Sequence, residues 1–207
     1  EEKLRYKEFL KHTALFDDEN LIIAGRQVMQ KWETPAMKLM ADIVCKKGDK
    51  VLEIGLGMGI SAQFIQKNKP YEHIVIEPHE EVIQHCKKQF TKELKNNMKI
   101  IKGMWHEIMP TLQKESFDGI LFDSYNFSEM EKKIYEENFF EMAYQLLKKG
   151  GRLSIFSKFN EESIKEFEKI CQKKGFQEVK YETCAIKPPK DCEYWNKNTI
   201  LIPIIIK

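Results

Sequence analysis

The chain has 207 residues, 42% of them hydrophobic and 32% charged, enough to bury a core without disulfide or metal staples. Thirty-four Lys and Arg against thirty-two Asp and Glu leave a formal charge of +2, so no nucleic-acid partner is expected on electrostatic grounds. The five cysteines, at 45, 86, 171, 184 and 192, lack pairing or ligand spacing, and the apolar run Ile200 to Ile206 is far short of the roughly 20 residues that span a bilayer; a reduced, cytoplasmic protein without membrane contact is expected.

The chain opens Glu1-Glu-Lys3 with no apolar signal core behind it. Phe16, Met29 and Trp32 stand beside polar turns and predict an N-terminal helical lid over 1–30, ahead of a single domain over 31–207. Thr34-Pro35 supplies an N-cap and a proline at N1 for a helix through Met37, Met40, Ile43 and Val44 that stops near Gly48. Apolar runs of strand length follow at 50–54, 73–77, 98–102, 117–123 and 151–156, separated by helical periodicity. Pro78 begins the helix after the second of these strands, and Met130 to Lys148 reads as a long helix closed by Gly150. A helix near 161–174, a strand near 176–186 and a tail strand at 199–206 complete the chain, the last two joined by a long loop as an antiparallel hairpin. The fold class is therefore α/β, a Rossmann-like seven-stranded sheet with helices on both faces and an antiparallel C-terminal strand.

Val51 to Gly59 is a short apolar strand running into glycines at 55, 57 and 59, and Glu77 follows Gly57 by twenty positions. Glycines open the backbone to a ligand, and a carboxylate ending the second strand holds ribose hydroxyls. Met58 stands inside the loop and no Lys or Arg occurs from 51 to 66, so a ligand with ribose but no phosphate fits better than a dinucleotide. S-adenosylmethionine is such a ligand. Its expected site comprises Gly55, Leu56, Gly57, Met58, Gly59 and Ile60 with Glu77 and Pro78. The histidines at 12, 73, 79, 85 and 106 show no mutual ligand spacing, and no metal is expected.

In open α/β sheets ligands lie outside the carboxyl ends of the strands. The third strand delivers Gly103, Met104, Trp105 and His106 there, beside an adenine; Trp105 also reads as an ordinary core tryptophan. The fourth delivers Asp123-Ser-Tyr125, forcing a carboxylate to the sheet rim, where a charge is costly unless paired. Asp118, near the start of that strand, reads as a solvated turn residue, and the fifth strand ends in Ser157 to Asn160. Glu33, in Lys31-Trp-Glu-Thr-Pro35, either points inward beneath the lid or is a plain solvated loop acid.

Val28-Met-Gln-Lys-Trp-Glu-Thr-Pro-Ala-Met37, the glycine loop, Ile76-Glu77, Lys102-Gly-Met-Trp105, Phe117 to Tyr125 and Leu147-Lys-Lys-Gly-Gly151 together resemble guanidinoacetate N-methyltransferase and the related arginine N-methyltransferases. The resemblance covers about 25 to 207, with the tail Pro188-Pro-Lys-Asp-Cys-Glu-Tyr194. It implies that Met29 and Met37 touch the cofactor, that Asp123 lies against it too, and that Glu33 and Asp123 grip a guanidino group with Asp123 as base. Tyr125, Ser157 and Lys158 are then expected at the substrate. Ser157-Lys-Phe-Asn160 departs from the family, whose loop there is neutral and hydroxyl-bearing and binds the substrate carboxylate; Lys158 either takes over that duty or faces solvent. The expected activity is methyl transfer from S-adenosylmethionine to a guanidino nitrogen of a small molecule such as guanidinoacetate or arginine. Another amine, a peptide or protein arginine, and a non-catalytic cofactor-binding regulator are the alternatives, and the oligomeric state stays open between monomer and homodimer.

Overall fold

The computed structural model describes residues 7–90, 97–124, 129–157, 159 and 161–207, with 129–137, 161 and 162 described by backbone alone. Its N-terminal part corrects the helical expectation over 14–30: β1 (Ala14–Phe16), β2 (Asn20–Ile23) and β3 (Arg26–Gln30) form a three-stranded antiparallel meander. The reason is local. Residues 20–23 alternate between half-buried and buried, a period of two that no helix satisfies. Ala24 and Gly25 take φ of 53° and 71°, the left-handed pair that a two-residue hairpin turn requires. The Asp17 carboxylate accepts the N–H groups of Glu19 and Asn20, both at 2.7 Å, and so closes the other turn.

A single 3-10 turn, Lys31–Glu33, joins the meander to helix α1 (Thr34–Val44). The expected cap moves back by one residue: Glu33 is the N-cap, while the Thr34 hydroxyl donates to the Lys31 carbonyl at 2.6 Å. In order follow β4 (Lys50–Ile54), α2 (Ile60–Lys67), β5 (Glu72–Glu77), α3 (Glu80–Gln89), β6 (Met98–Lys102), the short α4 (Trp105–Ile108), β7 (Phe117–Phe122), α5 (Glu129–Leu146), β8 (Leu147–Ile155), α6 (Glu161–Lys173), β9 (Glu178–Ala185) and β10 (Thr199–Ile206). The strands β4 to β10 make one seven-stranded sheet in the order β6-β5-β4-β7-β8-β10-β9. Its first five members pair in parallel, and β10 runs antiparallel to both neighbours. The long helix ends at Leu146, two residues earlier than expected, and Gly150 (φ 77°) lies within β8, where its N–H reaches the Lys207 carbonyl at 2.6 Å.

Strand alternation divides the core in two. Val51, Val75 and Leu121 face α1 and α2, whereas Leu52, Ile54, Ile74 and Ile76 join Phe139 and Phe140 of α5 and Phe167 of α6 on the other face. Asp118 is not solvated as expected: it accepts the Lys50 N–H at 2.8 Å and pairs with Lys148 at 2.8 Å. No helix among the described residues is long and apolar enough to cross a membrane. For function, the decisive feature is β4, with β5 on one side and β7 on the other. Chain order reverses there, which opens a crevice at the carboxyl ends.

Candidate active site at the carboxyl ends of the central strands

Beyond Ile54 the backbone turns through Gly55, at φ 87°. A Cβ there would sit 1.8 Å from the Asp123 carbonyl oxygen, so only glycine lets the ends of β4 and β7 approach this closely. At Gly57 a Cβ would meet the Met29 sulfur at 2.6 Å, and that same sulfur accepts the Met58 N–H at 3.2 Å. The meander thus places one side chain of β3 on the glycine loop. Below the loop, Glu77 is buried. Its two oxygens accept the N–H groups of Leu56 at 2.9 Å and His79 at 2.8 Å. Burial pushes the Glu77 carboxyl above its usual range, and these amides work against that rise.

A cavity of about 670 Å³ occupies the crevice. Of the residues expected at the cofactor, Met29, Gly55, Gly57, Glu77, Pro78, Met104, Trp105 and Asp123 line it. Met37 does not: it is fully buried in the core, as is Leu56, whose contribution is its amide. Met58, Gly59, Ile60, Gly103 and His106 are not among the lining residues. Trp105 is a core tryptophan that also reaches the cavity. It lines the cavity and packs edge-on against Phe122 and Phe139, with ring centroids 5.8 and 5.7 Å away. On the acceptor side Glu33, Asp123 and Ser157 line the same cavity, while Tyr125 and Lys158 lie outside the described residues.

The two acids of the acceptor side differ in their company. Glu33, 2% exposed, accepts the Gln30 N–H at 2.8 Å and the Tyr194 hydroxyl at 2.5 Å. Burial, then the Glu33 charge and its hydrogen bond, raise the Tyr194 phenol well above its ordinary value, so the hydroxyl stays a donor. The Asp123 carboxylate touches the open cavity and makes no hydrogen bond or ion pair with a described residue. Burial first, then the nearby charges of Glu53 and Glu77, push its carboxyl up to about 7.

Sequence reasoning missed several polar residues here. Glu53 lies fully buried on β4, bonded to the Ser61 hydroxyl and to His73 Nε2 at 2.8 Å. Gln66 Nε2 stands 2.9 Å from His73 Nδ1; with Gln66 donating there, Nε2–H is the donor to Glu53. The signal was an acid inside the apolar run Val51 to Ile54, which needs partners that the following helix and the neighbouring strand supply. His79, 3% exposed, also lines the cavity. Its Nε2–H donates to the His12 carbonyl at 2.9 Å, which leaves Nδ1 as an acceptor, buried and without a partner among the described residues. Tyr194 and Gln27 arrive from opposite ends of the chain, and no local pattern marks either.

Comparison with known proteins bears on this arrangement. Residues 6–207 match the model of the guanidinoacetate N-methyltransferase family. The chain is 30% identical over 214 aligned positions to protein arginine N-methyltransferase 2 of Aspergillus oryzae, covering 95% of this chain but only 50% of that protein. The chain thus spans about half the length of that relative. Among solved structures, spermidine synthase of Thermotoga maritima superimposes with a TM-score of 0.65 at 18% identity, over 90% of this chain and 64% of that one. Precorrin-6y C5,15-methyltransferase of Geobacter metallireducens gives 0.61 at 15% identity, over 87% and 90%. At such identities these structures speak for the fold alone.

Proposed function

The chain belongs to the guanidinoacetate N-methyltransferase family, and from that premise we propose that it transfers a methyl group from S-adenosylmethionine to a guanidino nitrogen of a small molecule. The observation that carries this reading is the pair Glu33 and Asp123 on one cavity together with the glycine loop and Glu77. The cavity suits an adenosyl ligand on its own terms. Buried His79 Nδ1 is an acceptor awaiting a donor, and Glu77 keeps lone pairs beside the open backbone of Gly55 and Gly57, where ribose hydroxyls would donate. Bound there, S-adenosylmethionine supplies an electrophilic methyl on a positively charged sulfur.

The residues of the acceptor side answer the difficulty of the other reactant. A guanidinium has a pKa of roughly 12.5 or above, so reaching its neutral, nucleophilic form at pH 7 costs about 7 kcal/mol at 1.36 kcal/mol per unit. Glu33, held by Gln30 and Tyr194, orients the planar cation through its N–H groups. Asp123 accepts a second N–H of the cation and takes the proton as the new C–N bond forms and the S–C bond breaks. A carboxyl poised near 7 is matched to that duty at neutral pH. The meander, with Met29 on the glycine loop and β3 above Glu33, acts as the lid that excludes water, in strands rather than helices.

The roof formed by β3 and Tyr194 over Glu33 favours a compact acceptor. A second reading, an arginine side chain of a peptide or protein, draws on the name carried by the Aspergillus relative. Incubation with labelled S-adenosylmethionine and guanidinoacetate, arginine, agmatine or an arginine peptide separates them. Labelling of a small guanidine is expected; labelling of the peptide alone selects the second reading, and labelling of an acceptor lacking a guanidino group removes both.

A further inference from the structure

Between Ile186, whose N–H donates to the Asn198 carbonyl at 2.9 Å, and the start of β10, the chain leaves the β9–β10 hairpin and crosses to the meander. It is fastened there at two points. The first is the Gln27 side chain on β3. Its Nε2–H donates to the Asp191 carbonyl at 3.0 Å and its Oε1 accepts the Glu193 N–H at 2.9 Å. One side-chain amide thus offers the loop the donor and acceptor that a neighbouring strand would offer to residues 191 and 193, and only one orientation of the amide satisfies both. The second point is the Tyr194 hydroxyl on Glu33, beside the Trp32 ring, whose centroid lies 5.8 Å from that of Tyr194.

Residues 191 and 193, held by Gln27, immediately precede Tyr194. The bracket therefore fixes the backbone from which Tyr194 reaches Glu33. We infer that Gln27 is a positioning residue for the acceptor: it holds the 187–197 loop against β3, so that Tyr194 locks Glu33 in the orientation that receives the guanidino group. Its own side chain is engaged with the loop, and its influence runs through Tyr194. Cofactor binding is assigned to Gly55, Glu77 and His79, and the hydrogen bonds of the Gln27 side chain go to Asp191 and Glu193 instead. The inference rests on the acceptor role assigned to Glu33.

Two Gln27 variants and one cycle test it. Gln27→Glu keeps the shape and the contact to the Glu193 N–H but sets a carboxylate against the Asp191 carbonyl; Gln27→Ala removes both contacts. Each is expected to raise the KM for the acceptor about tenfold while kcat and cofactor affinity stay within about twofold, the scale of one or two lost hydrogen bonds. In a Tyr194→Phe background Gln27→Ala should then change KM by less than about twofold, because both act on one partner. Hydrogen exchange at the Glu193 amide should quicken in both Gln27 variants, a readout that needs no acceptor. Unchanged exchange and KM in these variants overturn the bracket. Full additivity with Tyr194→Phe overturns the route through Tyr194. Should the chain methylate only a non-guanidino acceptor, the functional reading falls; the exchange measurement and the KM for that acceptor still decide whether Gln27 positions the loop.

Discussion

Glu77 and Asp123 occupy matching places, at the carboxyl ends of strands that flank β4, yet their surroundings have opposite consequences. The glycine loop folds back over Glu77 and gives it the amide of Leu56, and the turn after β5 adds that of His79, so its burial is partly offset, its carboxyl still raised, and its geometry set before any ligand arrives. Around Asp123 no donor from a described residue compensates burial, and two further acids, Glu53 and Glu77, stand near enough to raise its proton affinity. The same topology thus yields an acceptor held by two backbone amides on one side and one without such donors among the described residues on the other. What separates them is which backbone amides reach the carboxylate.

The hardest test of that contrast is Asp123→Asn. Turnover should fall about 10²- to 10⁴-fold, the usual cost of removing a general base, while calorimetry finds cofactor affinity nearly intact. In the unsubstituted chain kcat/KM should rise with pH along a limb near the raised value of about 7, since the base works only when deprotonated, and Asp123→Asn should abolish that limb. A full-rate Asn enzyme would end the distinction between the two acids. Glu77→Ala, in contrast, should weaken cofactor binding by about 1–3 kcal/mol, the range for a lost hydrogen bond to a charged acceptor, and leave kcat at saturating cofactor much as it was. Unchanged affinity would take Glu77 out of the site. Glu33→Gln lies between them in kind. It should cost about tenfold in kcat/KM, chiefly through acceptor KM, with turnover surviving, because the amide still accepts the Gln30 and Tyr194 hydrogen bonds but lacks the charge.

The smallest expected effect is on stability, and its sign follows from linkage. A carboxyl whose folded pKa lies near 7, above its ordinary 3.8, binds its proton more tightly in the native state. Stability is therefore lost as pH rises from about 4 to 7. Asp123→Asn removes this penalty, so thermal unfolding should show a higher Tm than the parent at pH 8 and a similar one at pH 4, by roughly 2–4 °C for each kcal/mol recovered. The open side of the cavity moderates the gain. A lower Tm at pH 8 would mean that Asp123 is compensated after all.

The strand runs at 50–54, 98–102 and 199–206 were legible residue for residue, and the glycine loop with them, because each run is mostly apolar over the length of a strand and is bounded by polar residues or glycine, and a tight turn must carry glycine. The meander was legible in principle. Asn20 to Ile23 alternates with period two ahead of Ala24-Gly25, whereas the helical lid expectation rests on Phe16, Met29 and Trp32 beside polar turns. The tail residues Asp191 and Glu193 lie 164 and 166 positions from Gln27, and Tyr194 lies 161 from Glu33, so no local pattern relates them.

By itself the sequence determined the order of strands and helices, the apolar faces that must be buried and the glycine turn, since each depends on residues within a few positions of one another. Only the tertiary structure decided which carboxylate would receive backbone amides, that Glu53 would find His73, and that Gln27 and Tyr194 would meet the acceptor side of the cavity. Those outcomes depend on distances of a few ångströms between segments that are far apart in the chain, and backbone packing alone sets such distances.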